Sequence, residues 1–374
     1  MPEPFKNFIN PALVQAAAAH LQRQRASFDA STFCARICPY LEALELKARA
    51  MRIADVLEEF LPQDFEAAAR LIEGALAPVD TGESSAFAQS VRGLRGWMLW
   101  PFGEFAARRG VAHPERALRL LHALTQRFTA EFAIRPILVA HPRLVYATLA
   151  QWTHDPSEHV RRLVSEGTRP RLPWGLQLKS LIADPSPSWP LLAALLDDPS
   201  EYVRRSVANH LNDIAKDHPG LVAAWIERNL PHASAERRAL LRHASRTLIK
   251  QGHSHTLHLW GLGEPFKGSA QLAVAPKRVR IGEAITLTLT ILSTAKASQQ
   301  LAIDYIVHHQ RSNGTTSPKV FKGWVVDVAA KASVTLRKRH AFRVITTRRY
   351  YPGLHRIDVQ INGAVAATGA LTLV

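Results

Sequence analysis

The chain is poor in cysteine and short of acid. Of its 374 residues only Cys34 and Cys38 carry thiols. Two cysteines at i,i+4 build no disulfide framework, and a zinc site needs more ligands, so free thiols beside apolar neighbours are expected. No apolar run approaches the ~20 residues that a bilayer-spanning helix requires. The opening MPEPFKNFINPALVQ lacks the basic start and apolar block of a secretory signal, which points to a cytoplasmic protein. The P-loop, GxGxxG, GxSxG and HExxH patterns are absent, so nothing supports the phosphate-cradling, dinucleotide, serine-elbow or zinc-protease chemistries. His253, His255 and His258 fall in a linker and are read as such, not as metal ligands.

The acid shortage is informative. There are 31 Asp and Glu against 47 Lys and Arg, a formal charge of +16. Residues 262–374 alone hold 16 basic against 5 acidic side chains. Such a surplus points to a polyanionic partner, nucleic acid first. An anionic membrane surface ranks lower, because no basic amphipathic anchor or lipidation signal is visible. With 47% hydrophobic and 21% charged residues the chain is globular, with room for two or three domains.

Residues 1–261 read as helices, at 11–24, 31–44, 47–60, 64–76, 113–127 and 142–153, with a Pro/Gly/Ser-containing loop at 77–85. Trp97, Trp100, Pro101 and Phe102 read as packing between helices. In 128–138, FTAEFAIRPIL, Glu131 and Arg135 lie one turn apart, and Pro136 should kink the helix. The strongest architectural signal is a repeat. DPSEHVRRLV at 155–164 recurs as DPSEYVRRSV at 198–207, an offset of 43 residues. That period suits HEAT-type helical repeats, whose units bury their apolar faces only by stacking into a curved solenoid. Arg162 and Arg205 would then form a basic track along its concave side.

Composition changes at residue 262. Gly261, Gly263, Pro265 and Gly268 mark a linker, after which Ile285, Leu287, Leu289 and Ile291 alternate with threonines. Strand-like runs follow at 301–307, 320–328, 333–342 and 356–361, with hairpin signals at Asn313-Gly314 and Asn362-Gly363. About seven short strands in ~105 residues indicate an immunoglobulin-like sandwich. The expected fold is an α-helical HEAT-like repeat solenoid over 1–261, followed by a small basic all-β sandwich over 262–374.

Residues 155–174, DPSEHVRRLVSEGTRPRLPW, depart from the repeat. Asp155 can cap a helix, Pro156 suits its first position and Glu158 completes a capping box. Val160, Leu163, Val164 and Gly167 form the core stripe, which puts Arg162, Glu166 and Arg169 on the face away from the core. RPRLPW has no counterpart in the second copy, and Glu166 aligns with Asn209. Two prolines stiffen the exit towards Trp174. Ordinary surface ion pairs are the plain alternative.

Three stretches together carry a resemblance: ELKARAMRIADVLEEFLP (45–62), FTAEFAIRPIL (128–138) and VRRLVSEGTRPRLPW (160–174). They resemble the AlkC branch of the AlkC/AlkD bacterial DNA alkylation-repair glycosylases, over most of residues 1–260. A strand-rich tail also resembles the AlkC branch. The resemblance implies a DNA glycosylase acting on N3-alkylated, cationic bases such as 3-methyladenine and 3-methylcytosine, in duplex DNA and without deep base flipping, a departure from the usual strategy. By motif alignment it implies Glu131 and Glu166 as catalytic carboxylates and Trp174 against the sugar or the alkylated base. Arg135, Arg162, Arg169, Arg171 and Arg205 would bind DNA. In the tail, Arg337, Lys338, Arg339, Arg348 and Arg349 would grip the DNA backbone. No cofactor, membrane or obligatory protein partner is implied. The enzyme would act as a monomer in the cytoplasm, associated with the nucleoid when bound. The competing reading is a non-catalytic HEAT adaptor binding nucleic acid or protein. Glu131 pairing with Arg135, and Trp174 as a core residue, are the corresponding alternatives at the site.

Overall fold

The computed structural model describes residues 4–79, 92–345 and 348–374. The 77–85 loop lies outside the described residues from position 80 onward. The chain divides into two compact units, residues 1–217 with 233–244, and residues 218–232 with 245–374. Among the described residues, no helix is long and apolar enough to cross a membrane.

Local chemistry starts the helices of the first unit. Asn10, Asp29 and Asp64 each accept a hydrogen bond from the backbone N–H three residues on, capping Pro11–Gln24, Ala30–Ile37 and Phe65–Ala75. His-Pro pairs open Pro114–Thr125 and Pro142–Trp152, with the histidine outside helical geometry and proline first, where no backbone donor is needed. Cys34 and Cys38 are free and half-buried. Pro136 does not kink a helix: it falls in the first turn of Ile134–Ala140, where its missing N–H costs nothing.

The 43-residue repeat has a concrete structural meaning. Asp155 and Asp198 each accept from the backbone N–H of the serine two residues on, at 2.8 and 2.9 Å. The repeat helices then run Glu158–Gly167 and Glu201–Ile214. The first begins later than expected, because Asp155 and Pro156 form the turn that precedes it. Arg161 and Arg204 fold back onto the carbonyls of their own Asp-Pro turns. Arg161 also grips Asp198 of the next copy, at 2.6 and 3.1 Å. The first arginine of each VRR therefore closes a turn, and the second is left for other work.

Among its described residues the second unit contains eight strands: β1 Gly268–Ala275, β2 Arg278–Val279, β3 Ala284–Ser293, β4 Gln299–Gln310, β5 Thr316–Val328, β6 Ser333–Ala341, β7 Gly353–Ile361 and β8 Ala364–Leu373. They form a three-stranded sheet, β1-β3-β6, and a five-stranded sheet, β2-β8-β7-β4-β5. Ile285, Leu287, Leu289 and Ile291 point into a core shared with Ile303, Val307, Ile357 and Val359. Asn362 and Gly363, both at positive φ, make the two-residue turn between β7 and β8. Asn313-Gly314 instead sits in a five-residue connection closed by the Arg311 N–H on the Thr315 carbonyl.

One corner of this core is polar. His309, His340 and His355 are buried among Phe321, Phe342 and Tyr350. Among the described residues, His309 Nδ1 and His340 Nε2 have no hydrogen-bond partner. Burial pushes His309 down to about 3 and His340 to about 4, with the nearby Arg348 guanidinium adding to both. These imidazoles fold neutral and must charge to ionise, so their contribution to stability is complete above ~6.5 and is lost as pH falls below that value. The denaturant midpoint of the strand-rich unit, followed by near-ultraviolet circular dichroism, should therefore drop between pH 7.5 and pH 5, and His309→Phe should flatten that slope.

Candidate active site: a buried carboxylate–arginine chain beside an exposed indole

Five side chains from four segments form one continuous polar chain. Glu131 lies in the turn before Ile134–Ala140, and its Oε2 accepts from Arg162 Nη1 at 2.6 Å and from the Thr129 hydroxyl. Arg162 also lies 3.7 Å from Glu166 Oε1 and stacks over the Tyr202 ring at 5.0 Å. Glu166 Oε1 accepts from Arg169 Nη1, and its Oε2 from Ser206 Oγ, both at 2.6 Å. Arg169 Nε continues to Asp213 Oδ2 at 2.8 Å, and Lys216 closes the far end on Asp213. The two glutamates expected from sequence are thus brought together through one shared arginine.

The expected surface face is not a surface. Glu166 is 6% exposed and Glu131 8% exposed. In a stacked repeat the face away from one core stripe meets the next helix, here Glu201–Ile214. Gly167 permits the approach on the other side: a Cβ there would come within 2.7 Å of Ile134 Cγ2. Only glycine lets the end of the Glu166 helix lie against the segment that carries Glu131.

The two carboxylates are buried alike but are not equivalent. Both oxygens of Glu166 take strong donors. Burial's upward push on its pKa is outweighed by Arg162, Arg169 and the Ser206 hydroxyl, which hold it below the ordinary glutamate range. At Glu131 burial wins over the pull of Arg162, and the charge of Glu166 adds to it, so its pKa lies above that range. Among the described residues, Glu131 Oε1 accepts from no protein donor. One anion is locked, and the other is basic with a spare oxygen.

Trp174 stands apart from the core. It is 63% exposed at φ +65, in the left-handed region that few large residues adopt. Its indole lies parallel to that of buried Trp100, with ring centroids 6.4 Å apart, and Trp100 stacks on Phe132, the residue after Glu131. The Trp97–Phe102 packing cluster therefore also supports an exposed ring. Lys47 donates to the Trp174 carbonyl at 3.2 Å.

The structure sorts the other expected residues. Arg135 is a correction: it is wholly buried and bonded to the Gly167 and Leu176 carbonyls, so it is not presented to a phosphate, nor does it pair with Glu131. Arg171 makes a two-point bond to Asp217 at 2.7 Å. Arg205 is exposed on Glu201. In the strand-rich unit Arg337 and Arg339 are exposed on β6, opposite Thr288 and Thr286. Lys338 is a second correction: strand alternation turns it to the Gly323 carbonyl and the Trp324 ring. Arg348 bonds His309 among aromatic rings, and Arg349 lies over Tyr351.

Sequence reasoning missed Thr129, Tyr202, Ser206 and Asp213. A signal existed for Ser206, which replaces Leu163 of the first copy: one position of an apolar stripe had turned polar.

With this geometry established, comparison gives the class first. The family described as DNA alkylation repair enzyme matches residues 128–248, the span holding both glutamates and both repeat helices. The family described as uncharacterised protein YhaZ, C-terminal Ig-like domain, matches residues 268–374. The uncharacterised protein YhaZ of Bacillus subtilis (strain 168) is 34% identical over 368 residues, 96% of each chain. The Pseudomonas fluorescens alkylpurine DNA glycosylase AlkC, solved bound to DNA containing an abasic site analog, is 34% identical over all of both chains, with a TM-score of 0.89. This chain belongs to the AlkC-type family of DNA alkylation-repair glycosylases with a C-terminal immunoglobulin-like domain.

The asymmetry of the glutamates predicts opposite stability effects. At neutral pH the fold disfavours ionised Glu131, because its folded pKa is raised, and favours ionised Glu166, because its folded pKa is lowered. Glu166→Gln should cost on the order of 3 kcal/mol and lower the melting temperature of the helical unit by roughly 5–10 °C. Glu131→Gln should change it by less than about 2 °C, or raise it, as read by calorimetry at pH 7.

Proposed function

We propose that the protein is a monofunctional glycosylase that hydrolyses the N-glycosidic bond of N3-alkylated, cationic bases, 3-methyladenine and 3-methylcytosine, in duplex DNA, without drawing the base into a deep pocket. The observation that carries this reading is the spare, basic oxygen of Glu131 beside a locked Glu166, with an exposed indole on a stack that reaches the neighbouring residue. The glycosylase domain is taken as residues 1–261 and the basic tail as 262–374.

An alkylated base already carries positive charge and leaves as a neutral molecule, taking the electron pair of the C1′–N bond. Little acid catalysis is needed. The deoxyribose left behind becomes oxocarbenium-like, and water must add to it. Glu131 holds that water, takes its proton and opposes the sugar's charge. A carboxylate ~4 Å from a developing unit charge, at an effective dielectric constant of ~20, contributes about 4 kcal/mol, or roughly 10³ in rate. Glu166 holds Arg162 and Arg169 in place, and Trp174 lies against the lesion or its sugar, where a π face favours a cation. Arg162, Arg171 and Arg205 provide positive charge towards the phosphates. Arg337 and Arg339 add two exposed backbone contacts from the tail.

Mass spectrometry of bases released from methylated duplex DNA tests the reading directly. Wild type should release 3-methyladenine and 3-methylcytosine, and Glu131→Gln should release them about 10³-fold more slowly while binding DNA as before. Equal activity in wild type and in the Glu131→Gln/Glu166→Gln double variant would instead favour the adaptor. Because Glu131 must be ionised to act, activity should fall in acid with a midpoint above the ordinary glutamate value of ~4.3.

The tail proposal has its own measurement. Arg337→Ala and Arg339→Ala should each reduce the slope of log K against log salt by about 0.9, at unchanged base-release rate on saturating DNA.

A further inference from the structure

Arg135 is the largest fully buried side chain among the described residues. Burial lowers its pKa to about 10, yet it makes no direct contact with a carboxylate. Its Nη1 donates to the Gly167 carbonyl at 2.9 Å, its Nε donates to the Leu176 carbonyl at 2.5 Å, and the buried Nη2 has no hydrogen-bond partner among the described residues. Gly167 ends the first repeat helix, and Leu176 lies two residues beyond Trp174. One side chain therefore holds both ends of the segment that carries Arg169, Arg171 and Trp174.

Within that segment the Gly175 N–H bonds the Leu172 carbonyl and Trp174 is held at positive φ, and just beyond it the Leu178 N–H bonds back to the Pro170 carbonyl. A rigid guanidinium with several donors in one plane suits two separate carbonyls, whereas a lysine ammonium is a single point. Burying a cation without a carboxylate is unfavourable. Here it joins two backbone positions that no helix or sheet connects.

We infer that Arg135 is a positioning residue that presets the 168–176 segment, so that Trp174 stands ready for the lesion before DNA arrives. The part of this inference that concerns the lesion rests on the proposed role of Trp174. The order of the segment itself does not. Preorganisation of this kind removes an ordering cost from the bound state.

Hydrogen exchange on the full chain, with and without methylated duplex DNA, tests it. In free wild type the Gly175 and Leu178 amides should exchange slowly, with DNA adding less than about twofold protection. Arg135→Met and Arg135→Lys should speed both amides by about tenfold or more, while the Leu46–Phe60 helix stays protected. Base release on saturating DNA should then fall at least about 30-fold, with affinity for undamaged duplex within about twofold of wild type, and Trp174→Ala added to Arg135→Met should cost nothing further. Segment amides that are fast in free wild type and slow only with DNA would overturn the inference, even if neither variant folds. So would a folded Arg135→Met that releases bases at the wild-type rate when Trp174→Ala alone does not. If Trp174→Ala alone leaves excision intact, the lesion-contact role is rejected, and the exchange results still decide whether Arg135 orders the segment.

Discussion

The site depends on keeping carboxylates charged where water is scarce. A lone ionised glutamate buried to this depth would take up a proton, since desolvation penalises the charged form. The chain Glu131–Arg162–Glu166–Arg169–Asp213 answers this by alternating sign from one side chain to the next. Each arginine serves two acids, and Glu131, at the end of the chain, shares Arg162 with Glu166. Such a network gains little net stability over a well-packed apolar core, because desolvating every member offsets the attraction. Its retention makes sense for chemistry that needs anions in a dry place.

The asymmetry inside that chain does the sorting. Glu166 is saturated by Arg169 and Ser206, and so orients its neighbours. Glu131 lies at the chain's end with one oxygen left over, and so can engage something that is not protein. The same division runs through the arginines. Arg161 and Arg204 close turns, Arg135 holds backbone, and Arg162 and Arg169 pair with acids. A basic chain is not thereby a chain of DNA contacts; much of its positive charge is spent internally.

Particular residues show how far the sequence could be read. The repeat was legible because DPSExVRR recurs whole, and the structure gives it a cause: an Asp-turned start, an arginine folded over the turn and a valine stripe. The sandwich was legible through the alternation in β3, whereas β1 and β8 are rich in alanine and carry little strand signal of their own. At the site, SEGTRPRLPW marked the specialised stretch, and two glutamates singled out from separate stretches, Glu131 and Glu166, meet through Arg162. Arg135 was expected to bind DNA because motif alignment carries no measure of depth, while its guanidinium in fact reaches carbonyls 32 and 41 residues away.

Sequence alone was sufficient for the helical repeats, the strand-rich tail and the basic balance. These depend on short-range periodicity, turn chemistry and composition, all of which are local. Only the tertiary structure decided that the face bearing Glu166 is buried, that Arg162 joins Glu131 to Glu166, that Ser206 and Asp213 complete the network and that Trp100 supports Trp174. Each of these depends on which helix stacks against which. That choice is made by the summed packing of distant segments, down to the missing side chain of Gly167, and no local pattern records it.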